Sequence, residues 1–252
     1  MEVLHLRNPE KVAAYISGWM KEMSLSAGAK GGVFGVSGGV DSSLLVGLAK
    51  QAWEADCLGL VLPCHSQAVD IEDAVDVLTH FNCEHRVIDL TPVFDVLRES
   101  LPEPPVGYML PEANLKPRLR MAVLYYFANL MNYMVVGTTN KPEWFVGYFT
   151  KYGDGGVDML PLADLTKADV RELARFLGVP DRIIEKAPSG GLWEGQTDEK
   201  EMGLTYKDLD AYVSGKNVSP QVESKILSMH LKSEHKRNVP PIPRVGTELK
   251  EE

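Results

Sequence analysis

Short apolar runs at residues 32–36, 57–62, 85–89 and 133–137 alternate with stretches of helical periodicity near 9–24, 41–53, 70–82 and 117–131. Apolar strands separated by amphipathic helices predict an α/β fold, a doubly wound parallel sheet with helices on both faces. The 117–131 helix opens on Pro117, tolerated at a first helical position, and places Leu124, Phe127, Ala128 and Met131 on one face. A further helix from Thr166 to about Leu177 carries apolar Val170, Leu173, Ala174 and Leu177 and stops at Gly178-Val179-Pro180. Residues 101–116 are rich in proline and residues 187–200 in glycine and polar side chains, so both predict loops. No internal repeat or linker breaks the pattern, and residues 1–252 predict a single domain.

Composition narrows the function classes. With 44% hydrophobic and 24% charged residues the chain reads as globular, and no run approaches the about 18 apolar residues of a membrane span. The start Met1-Glu2-Val3-Leu4-His5-Leu6-Arg7 lacks the basic opening and long apolar stretch of a signal peptide, so a cytoplasmic location is expected. A net charge of −9 repels nucleic acid on average and favours small-molecule chemistry. Cys57, Cys64 and Cys83 are odd in number with no Cys-x-x-Cys pair, which argues against a disulfide framework, a zinc site or a sulfur relay. Cys57, inside the strand-like Cys57–Leu62, reads as a small core residue.

Candidate chemistry sits where strand gives way to helix. Gly35-Val36-Ser37-Gly38-Gly39-Val40-Asp41-Ser42 follows the first strand and leads into the apolar helix Leu44–Ala49. Small residues let backbone N–H groups close around phosphate oxygens, the helix adds its positive end, and Asp41 suits the Mg²⁺ that accompanies ATP. The turn lacks the Gly-Lys-Ser/Thr ending that reaches β- and γ-phosphates, which disfavours chemistry at the γ-phosphate. A tight turn of purely structural purpose is the alternative. Gly137-Thr138-Thr139-Asn140-Lys141-Pro142-Glu143 ends the fourth strand. In a doubly wound sheet both segments fall beyond the carboxyl ends of the strands, so they converge on one crevice.

The turn at Ser37–Ser42 resembles the pyrophosphate-binding loop of the ATP pyrophosphatases, which split ATP between the α- and β-phosphates. Together with Gly137–Glu143, Lys151-Tyr152-Gly153-Asp154-Gly155-Gly156-Val157-Asp158 and Pro188-Ser189-Gly190-Gly191-Leu192-Trp193-Glu194-Gly195-Gln196-Thr197-Asp198-Glu199, it is similar to the ammonia-dependent NAD synthetases from about residue 10 to Pro243. That resemblance implies an adenine nucleotide alpha-hydrolase-like fold and conversion of nicotinic acid adenine dinucleotide (deamido-NAD) to NAD with ATP and ammonia, releasing AMP and pyrophosphate. It further implies a homodimer with the dinucleotide near the subunit interface.

Site residues follow from the same resemblance. Asp41 and Glu143 match metal ligands, hard oxygen donors suited to Mg²⁺. Thr138, Lys167 and Ser189 match positions that contact ATP, and Arg118, Lys151, Asp158, His235 and Lys236 match positions for deamido-NAD. For Lys167, a cation in the first helical turn opposes the macrodipole by about 0.3–1 kcal/mol, which a phosphate beyond the helix end would rationalise; an exposed lysine is the alternative. Asp154 is the candidate for holding the incoming ammonia, with a turn-forming aspartate as the alternative. His235-Lys236-Arg237 also reads as a frayed basic tail. Arg120, two residues from Arg118 on one helix, points elsewhere and need not share its role. Thr139, Pro142, Pro117 and Gly190-Gly191 depart from the commoner family pattern, and Pro142 puts the approach of Glu143 in doubt. The segment before Ser37 is too short for the amidase domain of glutamine-dependent relatives, so free ammonia is the expected donor. Another ATP pyrophosphatase, such as a tRNA thiolase or the synthetase part of GMP synthetase, or a non-catalytic nucleotide sensor, remains the competing assignment at this stage.

Overall fold

The computed structural model describes residues 8–190 and 197–243. In chain order it contains α1 (Pro9–Ser26), β1 (Gly31–Gly35), α2 (Val40–Trp53), β2 (Cys57–Val61), α3 (Ala68–His80), β3 (Glu84–Val87), α4 (Thr91–Glu99), α5 (Leu110–Ala113), α6 (Leu115–Met131) and β4 (Tyr133–Val135). Then come α7 (Lys141–Val146), α8 (Lys167–Leu177), α9 (Asp181–Ile184), α10 (Asp198–Met202), α11 (Tyr206–Val213), α12 (Pro220–Lys232) and α13 (Glu234–Arg237).

The strands form one parallel sheet in the order β3-β2-β1-β4, with Gly32 beside Cys57 and Val33 beside Val135. The chain steps outward from β1 through β2 to β3 and then returns to place β4 on the other side of β1. The order therefore reverses between β1 and β4, and a crevice opens beyond their carboxyl ends, where ligands bind in open α/β sheets. Alternate residues of β1 feed opposite layers: Phe34 packs with Leu44, Leu48, Val170 and Leu173 from α2 and α8, while Val33 packs with Phe94, Leu124 and Phe127 from α4 and α6. Gly32 admits the ring of Trp53, which a Cβ there would meet at 2.4 Å. A third cluster, Val146, Met202, Leu204, Tyr206, Leu209 and Ile226, joins α7 to α10, α11 and α12 beside the crevice.

The predicted strands and helices are all present, with ends shifted by a few residues. Three expectations change. Helix α6 begins at Leu115, so Pro117 occupies its third position, still inside the first turn where no intrahelical N–H bond is lost. The 101–116 loop contains the short helix α5, and the 187–200 loop ends at α10; Gly191 to Gln196 lie outside the described residues. β3 is an edge strand whose Glu84, Arg86 and Val87 are exposed, so the sheet is not covered on both faces there. Cys57 is buried as expected and lies 3.7 Å from Cys83 as a free thiol.

Candidate active site

The crevice is a cleft of about 550 Å³ walled by the β1–α2 turn, the β4–α7 connection, the amino-terminal half of α6 and the first turn of α8. Gly35, Val36, Ser37, Gly39, Val40, Asp41 and Ser42 line it. Gly38 does not: with φ of 78° it presses against α3, and a Cβ would stand 2.4 Å from the Asp70 carbonyl oxygen. Ser42 Oγ locks the turn, accepting from Ser37 N–H at 3.2 Å and donating to the Gly39 carbonyl at 3.0 Å. Gly39 is the N-cap of α2 and supplies no side-chain cap, which leaves the positive end of that helix available to an anion.

Asp41 and Glu143 face one another across this cleft, and the residue between them is Lys167. Its Nζ lies 2.6 Å from Asp41 Oδ2 and 3.3 Å from Glu143 Oε1, and its side chain is only 2% exposed. The solvent-exposed alternative for Lys167 is thereby overturned. The anion at the end of α8 is also identified: the Asp210 carboxylate accepts from Lys167 N–H at 2.9 Å and Ala168 N–H at 3.0 Å, so a protein carboxylate takes the place expected for a phosphate. Burial alone would push the Lys167 ammonium down, but Asp41 and Glu143 hold it above the ordinary lysine range. Burial pushes the Glu143 carboxyl up to about 7 against the pull of Lys167.

Asn140 fixes both carboxylates. It caps α7 in a reciprocal box with Glu143, accepting from Glu143 N–H at 3.1 Å while its own N–H donates to Glu143 Oε2 at 3.2 Å. Its Nδ2 donates to Asp41 Oδ1 at 2.9 Å. Pro142 sits in the first turn of α7, where it needs no N–H partner, so it leaves Glu143 facing Asp41. On the far side, Tyr206 OH approaches Glu143 Oε1 at 2.7 Å and Asp198 Oδ2 at 3.0 Å. Asp198 is itself buried, and burial raises its carboxyl despite Lys167. Two carboxylates thus share one ammonium, with Asp198 joined to Glu143 through Tyr206 OH, and Asp41 and Glu143 are hard oxygen donors of the kind that suit a divalent cation such as Mg²⁺.

Thr138 and Ser189 line the same cleft, as do Asp154 and Lys236. Asp154 Oδ1 accepts from Thr150 N–H at 2.9 Å, and the protein packed around it raises its carboxyl. Lys236 Nζ donates to the carbonyls of Gly147 at 2.8 Å and Phe149 at 2.6 Å. The frayed-tail alternative fails here, because α13 is docked: Arg237 also donates to the carbonyls of His230 at 2.6 Å and Trp144 at 3.4 Å. Arg118, Lys151 and His235 are not walls of the cleft; they form a group beside it, in which Lys151 Nζ reaches the His235 carbonyl at 2.5 Å and Arg118 Nε the Lys151 carbonyl at 3.4 Å. Asp158 is engaged elsewhere, accepting from Val135 N–H at 2.7 Å and Tyr125 OH at 2.9 Å.

Sequence reasoning gave no role to Asn140, Tyr206, Asp198 or Asp210, and left Arg120 unassigned. Arg120 was nevertheless legible. It lies four residues before Leu124, on the same stripe as Phe127, Ala128 and Met131, so helical periodicity turns it inward and Arg118 outward.

This geometry has close counterparts. An "NH(3)-dependent NAD(+) synthetase" from Syntrophomonas wolfei subsp. wolfei is 48% identical over 248 residues, covering 96% of this chain and 99% of that protein. The solved NMN synthetase from Francisella tularensis superposes with a TM-score of 0.89 at 38% identity, covering 94% of this chain and 99% of that one. The NH3-dependent NAD synthetase from Campylobacter jejuni, solved with nitrate, gives 0.81 at 25% identity over 95% of this chain and 100% of that one. The family model described as NAD synthase matches residues 12–240, and the chain belongs to that family.

Proposed function

We propose that this enzyme converts deamido-NAD to NAD with ATP and ammonia, releasing AMP and pyrophosphate. The observation that carries this reading is the meeting of the Ser37–Ser42 turn with Asp41, Lys167 and Glu143 at the sheet's switch point. A carboxylate resists attack by an amine because its leaving group would be an oxide dianion, so it must first be activated. One carboxylate oxygen attacks the α-phosphorus, the bond to the bridging oxygen breaks, and pyrophosphate leaves with the electron pair. Ammonia then attacks the acyl carbon, AMP leaves with the carbon–oxygen pair, and nitrogen gives up a proton.

The turn and the end of α2 receive phosphate oxygens, with Thr138, Lys167 and Ser189 as further ATP contacts. Asp41 and Glu143 would hold Mg²⁺, which supplies charge neutralisation at the departing pyrophosphate. Asp154, in the cleft with its carboxyl raised by burial, accepts a proton from ammonium or from the attacking nitrogen. Lys236 binds the acid substrate from inside the cleft; Arg118, Lys151, His235 and Asp158 act from outside its walls. The enzyme works in the cytoplasm, consistent with its unpaired cysteines; no described helix is long and apolar enough to cross a membrane.

The test is a product assay with ATP, Mg²⁺, deamido-NAD and ammonium that follows NAD, AMP and pyrophosphate together. Equal amounts of the three are expected. At subsaturating ammonium the rate should rise with pH, because unprotonated ammonia is the nucleophile. Formation of ADP and phosphate would refute adenylation, and NAD made from glutamine with ammonia rigorously removed would refute the donor. A second reading is favoured by the likeness to an NMN synthetase: nicotinic acid mononucleotide replaces the dinucleotide in the same chemistry. The two acids assayed in parallel decide it, and a higher kcat/KM is expected for deamido-NAD.

A homodimer is part of the proposal. Helices α4 and α6 pack on one sheet face and leave Val93, Val96, Tyr126 and Leu130 between 55% and 67% exposed, an apolar surface suited to a second copy. Light scattering should give twice the 27.8 kDa chain mass, and Tyr126→Glu with Leu130→Glu should give monomer. A monomer in the unsubstituted protein at micromolar concentration would refute it.

A further inference from the structure

Four cations line the cleft: Arg120, Lys167, Lys186 and Lys236. Two are matched by carboxylates. Lys167 lies between Asp41 and Glu143, and Lys186 Nζ is 2.7 Å from both Asp70 Oδ1 and Asp73 Oδ2. Arg120 and Lys236 have no carboxylate within 4.0 Å among the described residues. Asp154 is the carboxylate whose charge acts on both, and Glu201, which also lines the cleft, acts on Lys236. The cleft is therefore divided: Lys167 and Lys186 at one end are ion-paired, whereas Arg120 and Lys236 at the other make no ion pair among the described residues and feel Asp154, and for Lys236 also Glu201, only at longer range.

Arg120 is tethered on one side. Its Nε donates to the Leu62 carbonyl, just past the end of β2, at 2.9 Å, and Nη2 reaches Ser66 Oγ at 3.4 Å. These contacts engage two of five guanidinium N–H groups and orient the plane, leaving three donors without a protein partner among the described residues. Burial works against the charged state of both Arg120 and Lys236, a disadvantage that an anionic ligand would remove. A planar fork held in one orientation matches a carboxylate, which it can grip with two parallel bonds.

We propose that Arg120 is a catalytic residue that binds the carboxylate of the acid substrate and keeps hold of the acyl phosphate formed from it. This rests on the amide-forming reaction proposed above. Arg120 orients the attacking oxygen toward the α-phosphorus; the bond made and the bond broken are those of the first half-reaction, and Arg120 transfers no proton. Its contact is common to mononucleotide and dinucleotide acids, since both carry the same nicotinate carboxylate.

Exchange of labelled pyrophosphate into ATP, with acid substrate present and ammonia absent, isolates that half-reaction. In Arg120→Gln the acid-dependent exchange rate should fall about 100-fold and the KM for the acid should rise, while ATP affinity measured by calorimetry without acid changes less than about threefold. Arg120→Lys keeps the charge but not the fork and should recover only part of the loss. Thermal unfolding followed by circular dichroism separates this from a brace between α6 and the end of β2. A lowered melting point with normal exchange per folded molecule would overturn the proposal, and so would a loss confined to ATP affinity. Unsubstituted protein that shows no acid-dependent exchange would overturn the reaction itself, and the role of Arg120 with it.

Discussion

Replacing Asp41 by asparagine will lower kcat/KM by about 10²- to 10³-fold, the scale associated with removing one contact that stabilises charge in a transition state. The fold should survive. Asparagine keeps the volume, its amide oxygen can still accept the bond that Asn140 Nδ2 now gives to Asp41 Oδ1, and Lys167 retains Glu143 as a partner. Weakening one charged hydrogen bond costs about 1–3 kcal/mol, and each kcal/mol moves the midpoint of a chain this size by about 2–4 °C. A fall of no more than about 12 °C is therefore expected. Glu143→Gln should behave alike: its one amide oxygen can still accept from Asn140 N–H, and the amide NH2 in the other place can donate to Tyr206 OH, which keeps Asp198 as its own acceptor. Steady-state rates at saturating Mg²⁺ beside a thermal scan check both. Near-normal turnover at limiting Mg²⁺ would remove Asp41 from the metal site, and global unfolding would make its role structural.

The sequence carried most of this site because strand ends and turn chemistry are local properties. The Ser37–Ser42 turn and the Asn140–Glu143 start of α7 each follow an apolar strand, and a parallel sheet brings such segments to one edge. What was not legible depends on partners distant along the chain. Lys167 lies 126 residues from Asp41, Tyr206 lies 63 from Glu143, and Asp210 lies 43 from Lys167. No spacing rule links such pairs, so a buried ammonium between two carboxylates looked like an ordinary first-turn lysine. The same limit hid the docking of α13, whose Lys236 and Arg237 are satisfied by carbonyls around α7 and α12. Arg120 is the opposite case, for its facing could be read from helical periodicity, yet its value depends on the absence of a matching carboxylate.

Lys167→Met is expected to have the largest effect on stability and to make that stability depend on metal. Methionine resembles the stem in size but has no ammonium, and in the native protein that ammonium is 2.6 Å from Asp41, 3.3 Å from Glu143 and 4.6 Å from the centre of the Tyr206 ring. Removing one partner of a buried ion pair leaves uncompensated charge and costs about 3–5 kcal/mol. Here two carboxylates lose their shared cation with Asp198 close behind, so the Mg²⁺-free melting point should fall by about 6–20 °C. Mg²⁺ then becomes the only counter-charge at the site. A ligand at 100 times its Kd stabilises by about 2.7 kcal/mol, and the variant should bind the ion more tightly than the native protein, in which Lys167 competes for the same carboxylates. The gain in melting point on adding Mg²⁺ should accordingly be larger in the variant. Activity should not return with stability, because Lys167 is also proposed as an ATP contact. Equal Mg²⁺-induced shifts in the two proteins would show that Lys167 does not share its carboxylates with the metal.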